Sequence, residues 1–329
     1  MSNIYIIIIQ REFKMKFNEK IGFKTSAGIQ ASIESYMYYP FHLHDTYIEI
    51  ICVLNGSVDI YDSAVCYKLK ENEIHILNAK DPHKIISDIP ETLLLIVHID
   101  KEVYADIYPK LKLGYFTTYS RDANGYILSE MKYFRFLLAS VYLEYIEKTP
   151  SEFKLDALTK EIIELLFDEF HDYAYTLSAS GGYNIVRRKY DGRDYDEFYR
   201  AYRIADYIET YFKDSITLSE IAKDEFLSVP YLSKYIKDNL GVTFSDLLSI
   251  ARVSEAERLL SLTNKTIEQI ALDVGFANRA HLFQHFSKWF SKSPSAYRKE
   301  VLNDLGDNVA IQLGNIDKNI AIDKIHSFL

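Results

Sequence analysis

The sequence has little cysteine, no excess of positive charge and no apolar run long enough to cross a membrane. Cys52 and Cys66 are the only cysteines among 329 residues, which excludes a disulfide scaffold and favours reduced thiols. Residues 4–9 are apolar, but this stretch has about one third of the length of a membrane helix. Its positive charges follow it, so we interpret it as a strand and not as a secretion signal. We expect a cytoplasmic protein with two domain-sized cores and no membrane partner.

The scarcity of positive charge also limits how the chain could bind a polyanion. The formal net charge is -9, and residues 201–300 contain 13 Lys and Arg against 13 Asp and Glu. This region is therefore neutral and lacks a diffuse basic surface. Binding to a nucleic acid would depend on a few placed cations and on a second copy of the chain, with a steep dependence on salt.

Two segments in the last hundred or so residues repeat one pattern. Residues 217–222 (TLSEIA) and 266–271 (TIEQIA) each begin with a threonine N-cap, followed three residues later by Glu or Gln. After a turn, a second helix is predicted in each copy, capped by Ser228 or Asn278. Residues 243–262 have apolar side chains at helical spacing and would connect the copies rigidly. The spacing predicts two helix-turn-helix units, whose second helices can enter a major groove.

These residues resemble the AraC/XylS-type transcription regulators. The resemblance covers about residues 200–300 and includes the sequences KTI at 265–267, VGF at 274–276 and SPSAYR at 293–298. It implies a DNA-binding domain of two helix-turn-helix units on a linking helix. Ser291 replaces the glycine that usually ends the second reading helix, so a less clean helix end is expected. Gln284 replaces a basic residue, and glutamine pairs with adenine.

The outward side of each second helix is predicted to face double-stranded DNA. Leu232 and Ile236 define the inward side of the first helix, and Leu282 and Phe286 that of the second. The predicted base-edge contacts are Pro230, Ser233, Lys234, Arg279, Ala280 and Gln284, and the further predicted cations are Lys237 and Lys288.

The first hundred residues are typical of a β domain. Short runs rich in β-branched and aromatic residues at 47–54, 57–61, 74–77 and 93–99 are separated by turn residues, which suggests a barrel or jelly roll. His42-Leu43-His44, Glu49 and Gly56 are similar to the first cupin motif. In the second motif Glu71-Asn72-Glu73 stands where Pro-x-Gly is expected. A cupin barrel before paired helix-turn-helix units is the usual layout of sugar-responsive AraC-type regulators.

The candidate ligand site consists of His42, His44, Glu49 and His83. His42 and His44 alternate on a strand, so both side chains point the same way, and the four residues could form a metal site of three nitrogens and one carboxylate. The alternative is that they contact a small ligand without any metal or cofactor, and we expect this one. Tyr38 or Tyr61 is expected to add a stacking face or a hydroxyl group.

The predicted fold is a multidomain α+β chain: a cupin-like β-barrel, a central helical pair and an all-α double helix-turn-helix domain. The helical pair either covers the open face of the barrel or, as the resemblance implies, forms a homodimer. The domain bounds are 1–120 for the barrel, 121–177 for the helical pair, 178–195 for a linker, 196–300 for the DNA-binding domain and 301–329 for a tail without a predicted role.

The predicted function is a transcription regulator controlled by a small-molecule effector, and not an enzyme. The resemblance implies a carbohydrate effector, and RNA polymerase as a partner if the regulator is an activator. Two alternatives stay open. One is a cupin metalloenzyme with a helical appendage, and the other is a DNA-binding protein whose barrel serves only dimerisation.

Overall fold

The protein is described by a computed structural model. It describes residues 6–8, 21–62, 65–87, 89, 91–112, 114–118, 125–170, 173–177, 183–187, 200, 203–204, 207–208, 210–306, 311–313 and 318–329. They form two compact units. The sandwich unit comprises Met1–His171 and Asp304–Leu329, and the helical unit comprises Asp172–Asn303. The sandwich unit thus takes residues from both sides of the helical unit in the sequence.

Two antiparallel sheets form the sandwich unit. Their strands are β1 (Ile6–Ile8), β2 (Ile29–Glu34), β3 (Tyr36–His42), β4 (Tyr47–Asn55), β5 (Ser57–Asp62), β6 (Val65–Lys70), β7 (Ile74–Leu77), β8 (His83–Ile86), β9 (Leu93–Asp100) and β12 (Ile311–Leu313). The six-stranded sheet has the order β1-β12-β3-β8-β5-β6, and the four-stranded sheet has the order β2-β9-β4-β7. This arrangement confirms the predicted N-terminal β domain.

The four-stranded sheet is buried on both faces. Its inner face, with Ile51 and Ile96, packs against Ile60 and Ile85 of the six-stranded sheet. Its outer face packs against helices. Because both faces are covered, β4 and β9 are almost continuous apolar runs and do not alternate between apolar and polar residues.

Helices cover the outer face of the four-stranded sheet. They are α1 (Lys101–Tyr104), α2 (Gly125–Tyr145) and α3 (Glu152–Glu169), and a 3-10 helix spans Pro109–Lys112. Leu155, Ile162 and Tyr145 lie in the core beneath them, and Tyr142 and Phe167 pack against it. Much of the apolar surface of the helical pair is therefore buried within one chain, where it covers a sheet as the first of the two predicted roles requires.

The segment after residue 306, which had no predicted role, completes the sandwich unit. Strand β12 pairs with β3 and β1, and helix α10 (Lys318–His326) follows it. Ala321, Ile325 and Phe328 are buried in the same core as the central helices. The Arg135 guanidinium lies 5.7 Å from the centre of the Phe328 ring.

The helical unit begins with a hairpin of β10 (Tyr173–Leu177) and β11 (Tyr183–Arg187). Strand β11 lies inside the range predicted as a linker, because Tyr183, Ile185 and Val186 favour extended backbone. The rest of that range is outside the described residues.

The two predicted helix-turn-helix units follow the hairpin. The helices are α4 (Leu218–Asp224), α5 (Val229–Leu240), α6 (Phe244–Leu262), α7 (Ile267–Asp273), α8 (Arg279–Phe290) and α9 (Pro294–Gly306). Thr217 with Glu220, and Thr266 with Gln269, form the predicted capping boxes. Among the helices that the structure describes, none is long and apolar enough to span a membrane.

Candidate DNA interface and ligand pocket

The two recognition helices, α5 and α8, have similar ends. Ser228 Oγ accepts a hydrogen bond from the Tyr231 N–H, and Asn278 Oδ1 accepts one from the His281 N–H. Gly241 ends α5 with a φ of 73°, and Ser291 ends α8 with a φ of 54°. The less clean end expected for α8 is not observed in the backbone, because Ser291 adopts the left-handed conformation despite its Cβ atom.

Each recognition helix presents one buried and one exposed side. Leu232, Ile236, Leu282 and Phe286 are fully buried, as predicted. The predicted DNA contacts are all exposed, namely Pro230, Ser233, Lys234, Lys237, Arg279, Ala280, Gln284 and Lys288. The unit therefore offers these side chains to a groove, and their contact with DNA stays a prediction.

Two of the predicted cations are already paired with carboxylates of the same unit. Lys234 lies 3.2 Å from Asp238, and Lys288 forms a short salt bridge with Asp246. The Arg279 guanidinium lies 5.5 Å from the Phe283 ring centre, at the first turn of α8. Pairing lowers the positive potential that Lys234 and Lys288 can offer to phosphates.

The turn of the first unit contains a residue that sequence reasoning missed. Phe226 has a φ of 55° and occupies the place of Gly275, whose φ is 87°. Its side chain is 96% exposed. Aligning the two turns residue by residue would have placed Phe226 opposite Gly275, because the extra residue of the second unit comes after Gly275.

The sandwich unit contains a polar cavity of about 320 Å³. Gln30, Ser32 and Glu34 of β2 line it, together with Tyr36 and Tyr39 of β3. His42, His44, Glu49 and His98 form another part of the wall. Among the described residues, none that lines this cavity is a lysine or an arginine.

Four histidines surround one carboxylate oxygen beside this cavity. The distances from Glu49 Oε2 are 2.8 Å to His44 Nε2, 3.2 Å to His83 Nε2, 3.5 Å to His98 Nε2 and 3.9 Å to His42 Nε2. All five side chains are buried. Four of these side chains each place a possible metal-ligand atom within 4.8 Å of the others, namely His42, His44, Glu49 and His83. The four predicted residues therefore come together.

The backbone fixes the proton position in two of these rings. His42 Nδ1 lies 2.9 Å from Pro40 O, and His83 Nδ1 lies 2.8 Å from Asp81 O. A carbonyl oxygen only accepts hydrogen bonds, so both Nδ1 atoms carry protons and donate. In the neutral rings, Nε2 then directs a lone pair towards the Glu49 carboxylate. Such an arrangement needs a proton or a cation between nitrogen and oxygen, and it is the usual orientation of a metal-bound histidine.

Electrostatics favour a neutral His42 imidazole and an ionised Glu49 carboxylate in this cluster. Burial, with the neighbouring His83 and His44, holds the pKa of His42 well below its usual value. Burial alone would raise the pKa of Glu49, but the interactions of its carboxylate with His44, His83 and His98 outweigh burial and hold that pKa well below its usual value. Neutral imidazoles and an ionised carboxylate are the forms that bind metals.

The two predicted tyrosines, Tyr38 and Tyr61, do not line the cavity. Strand β3 has an irregular register between Tyr39 and His42, so its alternation is interrupted and Tyr39 shares the cavity with His42. Tyr61 lies opposite Lys84 where β5 pairs with β8, and the Lys84 Nζ lies 4.8 Å from the Tyr61 ring centre. Tyr36 and Tyr39 take the place that the sequence assigned to Tyr38 and Tyr61.

His98 and Gln30 are site residues that the sequence analysis missed. His98 is the only polar side chain between Leu93 and Ile99 in β9, and Gln30, Ser32 and Glu34 alternate along β2. Both patterns are signals of polar groups that face an interior site.

Comparisons with known proteins agree with the geometry of the helical unit. A helix-turn-helix domain family matches residues 221–300. The C-terminal domain of AraT, a response regulator from Geobacillus stearothermophilus, is 33% identical over 31% of this chain and 84% of that chain, with a TM-score of 0.30. This chain belongs to the AraC-type helix-turn-helix transcription regulators.

Two further similarities extend beyond the DNA-binding domain. An uncharacterised HTH-type transcriptional regulator of Staphylococcus aureus is 23% identical over 75% of this chain. The aligned part spans about 30% of that relative's length. ToxT from Vibrio cholerae is 17% identical over 83% of this chain and 98% of that chain, with a TM-score of 0.42.

Proposed function

We propose that this AraC-type chain binds an operator through α5 and α8 and regulates transcription in response to a small polar effector in the sandwich unit. The observation that carries the proposal is the pairing of two capped recognition helices, whose exposed sides bear the residue types that read base edges. RNA polymerase is the further partner if the regulator is an activator.

Two copies of the chain bind the operator in this proposal. The neutral helical unit offers few cations, and Lys234 and Lys288 are paired internally. Specific binding at cellular salt then requires the summed contacts of two chains. Sedimentation velocity on the full chain at micromolar concentration should give a dimer, and a monomer would contradict this part of the proposal.

The DNA-binding part is tested by selecting bound sequences from a random duplex library. For each copy of the chain, the selected operator should show base preferences in two clusters about one helical turn apart, one for each recognition helix. A single cluster, or no enrichment, would contradict the placement of α5 and α8.

The effector is proposed to be a small neutral molecule rich in hydroxyl groups, of which a carbohydrate is the leading class. The cavity offers amide, hydroxyl, carboxylate and imidazole groups together with Tyr36 and Tyr39, which supply stacking faces. Glu34 and Glu49 are in the wall, and the described part of the chain places no lysine or arginine there, so these groups disfavour an anion.

A thermal-shift screen of sugars, polyols and matched anions tests this part. A ligand that binds only the folded unit raises its melting temperature. When the ligand concentration is well above the dissociation constant, the stabilisation grows with the logarithm of that concentration. Ser32→Leu, which fills the cavity, should abolish the shift. Binding of the same compound by this variant would place the effector elsewhere.

A second candidate function is a metal-dependent enzyme, and the buried cluster of His42, His44, Glu49 and His83 is the observation that favours it. Incubation of the metal-loaded chain with the compounds that shift its melting temperature, followed by mass spectrometry, would detect turnover. Unchanged ligand supports the regulator.

A further inference from the structure

We propose that Phe226 recognises a thymine of the operator, because its ring contacts the C5 methyl group of that base in the major groove. Phe226 lies in the turn of the first helix-turn-helix unit, directly before the recognition helix α5. The contact adds a preference for thymine to the base-edge contacts of α5. This proposal rests on the proposed operator binding, and its test separates the failure of one from the failure of the other.

The backbone of the first turn is fixed by two hydrogen bonds. The Phe226 N–H donates to Lys223 O over 3.1 Å, and the Leu227 N–H donates to Ala222 O over 2.8 Å. The two corresponding hydrogen bonds of the second unit have the same lengths. This pattern is the Schellman ending of a helix, in which the residue after the C-cap is left-handed and usually glycine. Phe226 therefore occupies a position that favours glycine.

The two turns differ in what surrounds this position. A Cβ atom on Gly275 would lie 2.7 Å from Lys213 O, so the second turn has no room for a side chain. In the first turn the Phe226 side chain is 96% exposed. Leu227, the next residue, already packs against the core of the unit. The left-handed backbone of Phe226 costs free energy, and the exposed ring gains no stability from burial.

The position of Phe226 in the chain identifies DNA as the partner of its ring. Strained residues cluster at functional sites, and this one lies two residues before Ser228, the N-cap of α5. The N-terminal residues of a recognition helix are the ones that contact base edges. Val229 and Pro230, in the first turn of α5, are also exposed. Three apolar side chains thus lie within five residues, at the end of the helix that enters the groove.

The chemistry of the ring selects thymine. The C5 methyl group of thymine is the distinctive apolar group of the major groove, and phenylalanine is one of the side chains that contact it. Lys234, a predicted base-edge contact on α5, lies 3.2 Å from Asp238, which lowers the positive potential it can offer to DNA. Apolar contacts therefore supply a larger share of the base preference of the first unit.

The test uses the full chain and the operator selected from the random library. Each thymine of this operator is replaced, one at a time, by deoxyuridine, which lacks only the C5 methyl group. At one thymine, the replacement should weaken binding by the unmutated protein about fourfold, as expected for the loss of one buried methyl group. Phe226→Gly should weaken binding to the unmodified operator at least about fourfold and should bind the thymine and deoxyuridine forms equally. Fluorescence anisotropy measures all four affinities.

The four affinities form a double-mutant cycle, which isolates the contact between the ring and the methyl group. If Phe226→Gly still distinguishes thymine from deoxyuridine as the unmutated protein does, the proposal is overturned and the ring faces another partner. An operator in which no methyl group affects binding would also overturn it, while operator binding itself would stand. If the unmutated protein selects no duplex, the proposed operator binding fails and this proposal fails with it.

Stability distinguishes a role in recognition from a role in folding. Phe226→Gly should raise the urea midpoint of the helical unit, because glycine accepts the left-handed conformation, while it weakens operator binding. A structural role would lower the midpoint and the affinity together, and that result would overturn the proposal. Phe226→Tyr keeps the ring, so it should keep the discrimination between thymine and deoxyuridine.

Leu302→Ala is the matched control. Leu302 is 49% exposed on α9 of the same unit, outside both recognition helices and the turns before them. This variant should keep both the affinity and the discrimination. An equal loss in Leu302→Ala and Phe226→Gly would mean that any exposed apolar residue of the unit affects binding, and would overturn the specific role of Phe226.

Discussion

Gly241 and Ser291 end the two recognition helices in the same left-handed backbone conformation, with φ angles of 73° and 54°. Each donates its backbone N–H four residues back, to Lys237 O and Ser287 O respectively. The second helix therefore ends as the first does, although serine bears a Cβ atom that disfavours this conformation.

Ser291→Gly should raise the free energy of unfolding of the helical unit by about 0.5 to 1 kcal/mol, since glycine removes the steric cost of the left-handed conformation. Trp289, the only tryptophan, lies in this unit and gives a specific fluorescence signal during urea unfolding. The reverse change, Gly241→Ser, should lower the free energy by a similar amount. Equal midpoints for all three proteins would refute the argument.

Arg279→Ala should weaken operator binding by about 1 to 3 kcal/mol and relax the preference for guanine at one base pair, because the proposed placement of α8 directs the arginine of its first turn to a base edge. Fluorescence anisotropy with the selected operator and its single-base variants measures both effects. Lys237→Ala is the comparison, since it should weaken binding to all sequences alike and reduce the salt dependence. If Arg279→Ala keeps affinity and preference, α8 is not placed as proposed.

One thiol per chain should react with a thiol reagent in the folded protein, and two should react in denaturant. Cys66 is exposed, whereas Cys52 is fully buried, and burial raises the pKa of its thiol to about 12. The Cys66→Ser variant should show no reactive thiol until it unfolds. Rapid modification of Cys52 in the folded variant would contradict the placement of β4 between two packed layers.

Ile325→Ala should lower the free energy of unfolding of the sandwich unit by about 2 to 5 kcal/mol, because it opens a cavity in the core. Ile325 is 0% exposed. Ile320 lies on the same helix, is 51% exposed and provides the control, for which a change within about 0.5 kcal/mol is expected. Near-ultraviolet circular dichroism reports the tyrosines of both units, so the shifted transition of the sandwich unit is the one that does not coincide with Trp289 fluorescence, whose midpoint should stay unchanged. Equal effects of both substitutions would contradict the docking of α10.

The sequence predicted the helical unit well because its signals are local. Thr217, Ser228, Thr266 and Asn278 are all observed as N-caps, since capping depends on residues within one turn. Phe226 was missed because phenylalanine disfavours the left-handed backbone conformation, so its own side chain gave no local signal of this turn.

The ligand site was only partly predictable. His42, His44 and Glu49 are only a few residues apart in the sequence, so their spacing identified the cluster. His83 was predicted from the second cupin motif. Local patterns mark His98 and Gln30 as polar groups of an interior face, but their position beside Glu49 depends on strand pairing over long separations, which those patterns do not encode. The interruption of β3 near Tyr39 changes which tyrosine faces the cavity, and alternation could not reveal it.

The return of residues 311–329 to the sandwich unit affects how the protein is made on the ribosome. Synthesis proceeds from the N-terminus, and domains generally fold as soon as their residues have emerged. Here the sandwich unit cannot acquire β12 or the apolar side chains of α10 until the helical unit has been translated. The nascent sandwich must therefore expose part of its core during that interval, and the operator-reading unit is free to fold first.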